Sequence, residues 1–126
     1  MERDGARPWN ARESTMSIVE KLEELRSFGG TRETRGIPDA TLERLAVDHP
    51  ALTQAVDEAA HAHRALRSEH GPHLALDERA LIDALQEGYV NFYGPAAVNP
   101  YVPLAARGPW IVTSHGAVLH DNGGYG

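Results

Sequence analysis

The residues of this chain with the types to do chemistry are its seven histidines, its acidic pairs, five serines, one lysine and a glycine-rich end. A shared metal ion needs ligands on one face. His61 and His63 are separated by one residue in a helical pattern and point to nearly opposite sides. His70 and His73 straddle Gly71-Pro72, no His-x-x-x-His spacing occurs, and no acidic partner stands at a ligand interval. The histidines therefore read as surface or cap residues. Glu23-Glu24 and Asp57-Glu58 could divide acid and base roles if burial split their pKa values, but adjacent helical positions favour solvent. Ser14, Ser17, Ser27, Ser68 and Ser114 lack a Gly-x-Ser-x-Gly elbow. Gly123-Gly124-Tyr125-Gly126 lacks the Lys-Ser or Lys-Thr of a phosphate loop, and reads equally as backbone passing close to a ligand or as a flexible terminus. Lys21 falls on the exposed side of the first helix.

The elements that would position these residues divide the chain into a flexible leader (1–16), a helical N-terminal extension (17–92) and a segment with strands (93–126). Met16 is either the true start or part of the leader. Ser17 and Glu20 have capping-box spacing before Ile18, Leu22 and Leu25, and Gly29-Gly30 stops that helix. Arg32 to Gly36 is a polar connector. Pro38-Asp39 opens a short helix with Leu42 and Leu45 inward, ending near Asp48. From Pro50, the residues Leu52, Val56, Ala59, His63 and Leu66 trace one face of a helix running to about His70, where Gly71-Pro72 breaks it. Leu81, Ile82, Leu85 and Tyr89 line a further helix after Asp77.

Past Phe92 the pattern changes. Pro95, Pro100 and Pro103 deny the backbone a helix, and Trp110–Thr113 with Ala117–Leu119 read as a hairpin around Ser114-His115-Gly116, where Gly116 can take a positive φ. The expected fold class is mostly α with a short C-terminal β-hairpin. That hairpin has no third strand to pair with, a lone hairpin is marginal in water, and the chain reads as continuing beyond Gly126.

Composition narrows the function classes. A net charge of −6 with eleven scattered arginines argues against a nucleic-acid surface. The absence of cysteine removes disulfides, thiolate metal sites and a cysteine nucleophile. Residues 1–15 carry no apolar core of a signal peptide, and the longest uncharged stretch, 88–106, is broken by prolines and glycine. A soluble, cytoplasmic protein without a membrane partner is expected.

The run from Asn99 to Gly126, with Arg107-Gly108, the strand Trp110–Thr113, His115-Gly116, the strand Ala117–Leu119, Asp121 and then Gly123 to Gly126, resembles the opening of class III aminotransferases. In that family a proline-containing approach leads into an Arg-Gly turn, a short strand, an Asp-Gly turn, a second strand ending in Asp and a small-residue segment. His115 stands where Asp is usual, and residues 17–92 exceed the brief N-terminal helix of the family. The resemblance implies the N-terminal part of an α/β fold type I homodimer that transfers an amino group between an amino acid or amine and a 2-oxo acid. It implies pyridoxal 5'-phosphate bound by a large domain that would follow, with the catalytic lysine there and none here. It also implies that Tyr125, with Tyr101 or Trp110 nearby, walls the substrate pocket. The competing expectation is a small helical interaction module without catalytic activity, whose Gly/Tyr tail docks to a partner.

Overall fold

The computed structural model describes residues 16–86 and 100–121. Its elements are α1 (Ile18–Phe28), α2 (Asp39–Asp48), α3 (Pro50–Leu74), α4 (Glu78–Gln86), β1 (Pro103–Arg107), β2 (Trp110–Thr113) and β3 (Val118–His120). The described residues are thus mostly helical, with a small antiparallel sheet at the C-terminal side.

Local sequence explains each boundary. The Ser17 hydroxyl accepts from the Glu20 N–H at 3.1 Å while the Glu20 carboxylate accepts from the Ser17 N–H at 2.8 Å, so the capping box closes in both directions. Gly29 ends α1 by donating its N–H to the Leu25 carbonyl. Pro50 starts α3 at a position where its missing N–H costs nothing. The expected break at Gly71-Pro72 is present as a kink within α3. His70 leaves the helical region (φ −123°, ψ 19°), because Pro72 has no N–H for the carbonyl four residues earlier, and the helix then resumes to Leu74.

The hairpin expectation holds for β2 and β3, which pair Trp110 with His120, Ile111 with Leu119 and Val112 with Val118. Gly116 takes φ +82° at its turn. The expected absence of a third strand does not hold. β1, formed by the proline-containing approach, pairs antiparallel with β2 from Pro103–Thr113 to Arg107–Trp110, and Gly108 turns between them at φ +55°. On the far edge of the sheet, Ile37 donates its N–H to the Val118 carbonyl at 2.9 Å, and Gly36 bridges to Val118. Both edges of β2 are therefore paired, and the outer edge of β3 is partly covered by the Gly36–Ile37 backbone.

One apolar core spans the helices and the sheet. Ile18, Leu22 and Leu25 of α1, Leu42 of α2 and Leu52, Ala55, Val56, Ala59 and Ala60 of α3 pack with Trp110, Val112 and Val118. The alanines let α3 lie close to its neighbours, and each large residue buried here contributes roughly 1.5–3 kcal/mol. Leu85, expected inward on α4, is exposed; Tyr89 lies outside the described residues.

Charged residues expected at the surface tie the layers together. Lys21 is 5% exposed and ion-paired with Asp57 of α3, because the α1–α3 contact covers its stem. Arg107 of β1 pairs with Glu58. Glu24 accepts from Arg64 at 2.6 and 2.8 Å and from Arg67 at 2.9 Å. The bonds from Arg64 outweigh partial burial and, with Arg67, hold the Glu24 carboxyl at about 2.

Candidate functional site

The tip of the β2–β3 turn sits where α1, the α3–α4 connection and the sheet meet. Thr113, Ser114 and His115 are all fully buried there, as is the turn glycine's neighbour Ala117. The turn is tightened by Thr113 N–H to Ala117 carbonyl (2.9 Å), Gly116 N–H to Thr113 carbonyl (3.1 Å) and Ala117 N–H to Thr113 Oγ1 (3.0 Å). Gly116 must be glycine. Beyond its positive φ, a Cβ would meet Arg26 Cγ at 2.7 Å and the Leu22 carbonyl oxygen at 2.9 Å.

His115 clips this turn to the α3–α4 connection. Its Nε2 lies 2.7 Å from the Leu76 carbonyl oxygen, which can only accept, so in the neutral ring Nε2 carries the proton. Nδ1 is then the acceptor for the Ser114 hydroxyl at 2.9 Å. A serine hydroxyl on a histidine oriented by a carbonyl has the bonding pattern of an activated nucleophile. Both side chains are fully buried, and the pair joins the turn to the α3–α4 connection.

A second buried histidine corrects the surface reading of these residues. His63 is completely buried on the core face of α3, edge-on to Phe28 with ring centroids 5.2 Å apart. Arg67 Nε donates to its Nδ1 at 2.9 Å, which leaves the proton on Nε2, and Nε2 has no partner. Burial first, then the Arg67 cation, pushes the His63 pKa down to about 4. Among the described residues no group of three or more His, Asp or Glu side chains could hold a metal ion.

Of the three aromatic residues expected near a substrate, two are described, and they lie at opposite ends of the β1–β2 ladder. Trp110 is buried in the core, edge-on to His49 and to His120 at 5.7 and 4.9 Å between centroids. It pairs with Arg107 at one end of the β1–β2 ladder. Tyr101 precedes the opposite end and lines a cleft with Ile82, Leu85, Gln86, Val102 and Pro103. Tyr125 lies outside the described residues, as does the whole Gly123–Gly126 run. Beside Tyr101's cleft, an apolar groove of about 460 Å³ opens between the end of α3, α4 and β1, with His70, His73 and Leu104 among its walls. Residues 87–99, which link α4 to β1, are outside the described set.

The connector 30–36 is held by hydrogen bonds to the start of α4. Gly30 donates its N–H to the Leu76 carbonyl, and Glu78 donates its own to the Thr31 carbonyl. Asp77 accepts from Thr31 N–H, and one oxygen of the fully buried Glu78 accepts from both Glu33 and Thr34 N–H at 2.8 Å. The sequence marks Arg32 to Gly36 only as a polar connector. The spacing of Asp77-Glu78 at the start of α4 was its available signal, since acids at a helix start often bind backbone N–H groups.

Among the described residues no helix is long and apolar enough to cross a membrane. No protein-family model, no curated protein and no solved structure matches this chain.

Proposed function

We propose that this chain is the N-terminal region of a pyridoxal-phosphate-dependent class III aminotransferase, cytoplasmic and homodimeric, and that it is catalytically inactive by itself. The reading is carried by the order of features in the sheet. An Arg107-Gly108 turn, β2, a His115-Gly116 turn, β3 and Asp121 follow one another as in the resemblance, and both glycines have the left-handed backbone that such turns require. The cofactor would supply an electron sink for the amino-acid carbon and needs a lysine amine to hold it. Lys21 does not fit that task, since its ammonium is buried against Asp57. The reading therefore assigns the cofactor to a large domain following residue 126, and gives this segment a pocket-lining role through Tyr101 and Tyr125. Trp110 would act through the sheet that it anchors.

A second reading, a helical interaction module without catalytic activity, is favoured by the closed core that the described helices and sheet build together. The coding frame beyond codon 126 separates the two. The first reading expects a long α/β domain with a distal lysine, and amino transfer by that longer protein that fails when the distal lysine becomes Ala. A stop codon after Gly126, with a monomeric and cooperatively folding product, refutes it. The 126-residue chain itself, reduced with borohydride in the presence of pyridoxal phosphate, should gain no adduct mass at Lys21.

A further inference from the structure

Arg26, Arg32 and Arg35 converge on one cleft of about 300 Å³, which Gly36, Ile37, Pro38 and Asp39 complete at the start of α2. The three arginines are not equivalent. Arg26 is fully engaged: its Nη atoms donate to both Asp39 carboxylate oxygens at 2.8 and 2.9 Å, Nη1 also to Glu23 at 3.0 Å, and Nε to the Gly116 carbonyl at 3.1 Å. Arg32 makes a single long contact, 3.5 Å from Nη1 to the Gly116 carbonyl oxygen, and has no carboxylate partner among the described residues. Arg35 is exposed and likewise unpaired among the described residues. Glu23 and Asp39 are both bonded to Arg26, so the Arg32 and Arg35 guanidiniums are left without an ion pair among the described residues, in a chain of net charge −6. Partial burial, then the neighbouring Arg26 and Arg35 cations, lowers the Arg32 pKa from its usual value.

Two further features suit a ligand here. The arginines are held by backbone that is already fixed, since the 30–36 connector is pinned to Asp77 and Glu78 and its end is pinned to Val118. Binding would thus cost little ordering of the chain. The first turn of α2 also opens on the cleft with no side-chain cap, because Pro38 occupies the cap position. Free N–H groups at a helix start favour an anion. Asp39 already gives Arg26 a planar carboxylate; the unmatched Arg32 and Arg35 forks, with the helix start, suit a tetrahedral oxyanion with more acceptors.

We infer that the Arg26–Arg32–Arg35 cleft is a binding site for a phosphate group, with Arg32 and Arg35 as its direct ligands and Arg26 as the fixed wall that aims them. The inference is independent of the aminotransferase reading. Inorganic phosphate is the probe, titrated into the whole chain at constant ionic strength made up with chloride, with amide chemical shifts of residues 32–40 as the readout. Saturable shifts are expected, with the dissociation constant raised about tenfold or more in Arg32→Gln and in Arg35→Gln. Neither side chain takes part in the core, so both variants should keep the wild-type circular dichroism spectrum and melting temperature; if Arg32→Gln does not fold, Arg35→Gln decides alone. Acetate at the same ionic strength should shift these amides no more than chloride does. Non-saturating shifts, equal affinity in the folded variants, or acetate binding as tightly as phosphate would each overturn the assignment.

Discussion

His63 should make this fold acid-labile in a pH range where its carboxylates are still ionised. The perturbation is His63→Leu, which keeps the apolar contact with Phe28 and removes the ring nitrogens. In the folded protein the His63 pKa is pushed down from 6.5 to about 4, because the charged ring would be buried beside Arg67. The unfolded chain takes up a proton near pH 6.5 and the folded one does not until near pH 4, so acid favours unfolding. The stability is fully present above pH 6.5 and is lost as pH falls from 6.5 towards 4. By linkage the loss reaches about 2 kcal/mol at pH 5 and about 3 kcal/mol below pH 4. The Leu variant lacks this loss and also removes the unpaired buried Nε2 donor, whose burial alone costs about 1–3 kcal/mol. Urea unfolding followed by circular dichroism at pH 7.5, 6 and 5 measures it. His63→Leu should match or exceed the wild type at pH 7.5, and its advantage should widen by about 2 kcal/mol by pH 5. Parallel pH profiles for the two proteins would refute the argument, since they would show that the ring is not held neutral by its surroundings.

Glu24→Gln should act in a different window. The folded pKa of Glu24 is about 2 instead of 4.5, so its contribution is present above pH 4.5 and is lost as pH falls from there to 2. Because the three partners are each about a quarter exposed, the variant should lose about 1–2 kcal/mol at pH 7 and little at pH 2.5, as read by denaturant unfolding. Gly116→Ala should cost at least about 2 kcal/mol, from the positive φ and the clash with Arg26 and the Leu22 carbonyl; a neutral effect in thermal unfolding would contradict the turn geometry. Trp110→Ala should cost about 3–5 kcal/mol and Tyr101→Ala about 1 kcal/mol or less, because only the first fills the core. In an active longer protein, Tyr125→Ala should change donor preference more than cofactor affinity, and unchanged kinetics across donors would remove Tyr125 from the pocket.

The sequence alone determined the local elements. Ser17 with Glu20, Gly29, Pro50 and the Leu22–Leu25 and Leu52–Val56–Ala59 spacings act within a few residues of themselves, so α1, α3 and the Gly116 turn could be read directly. Only the tertiary structure decided what those elements meet. The strand Pro103–Arg107 exists because Trp110–Thr113 offers it a ladder and Ile37 covers the other edge of the sheet, partners that its own prolines do not announce. Lys21 and His63 read as surface residues in the sequence and nothing in it marks Glu78 as buried, yet all three are buried because chain 36 to 45 residues away supplies Asp57 or the Glu33 and Thr34 amides, or because the packed layers simply close over them. The cleft of Arg26, Arg32 and Arg35 has the same origin. Three scattered cations become one site only when α1, the connector and α2 fold against each other, since charge adds over space and not along the chain.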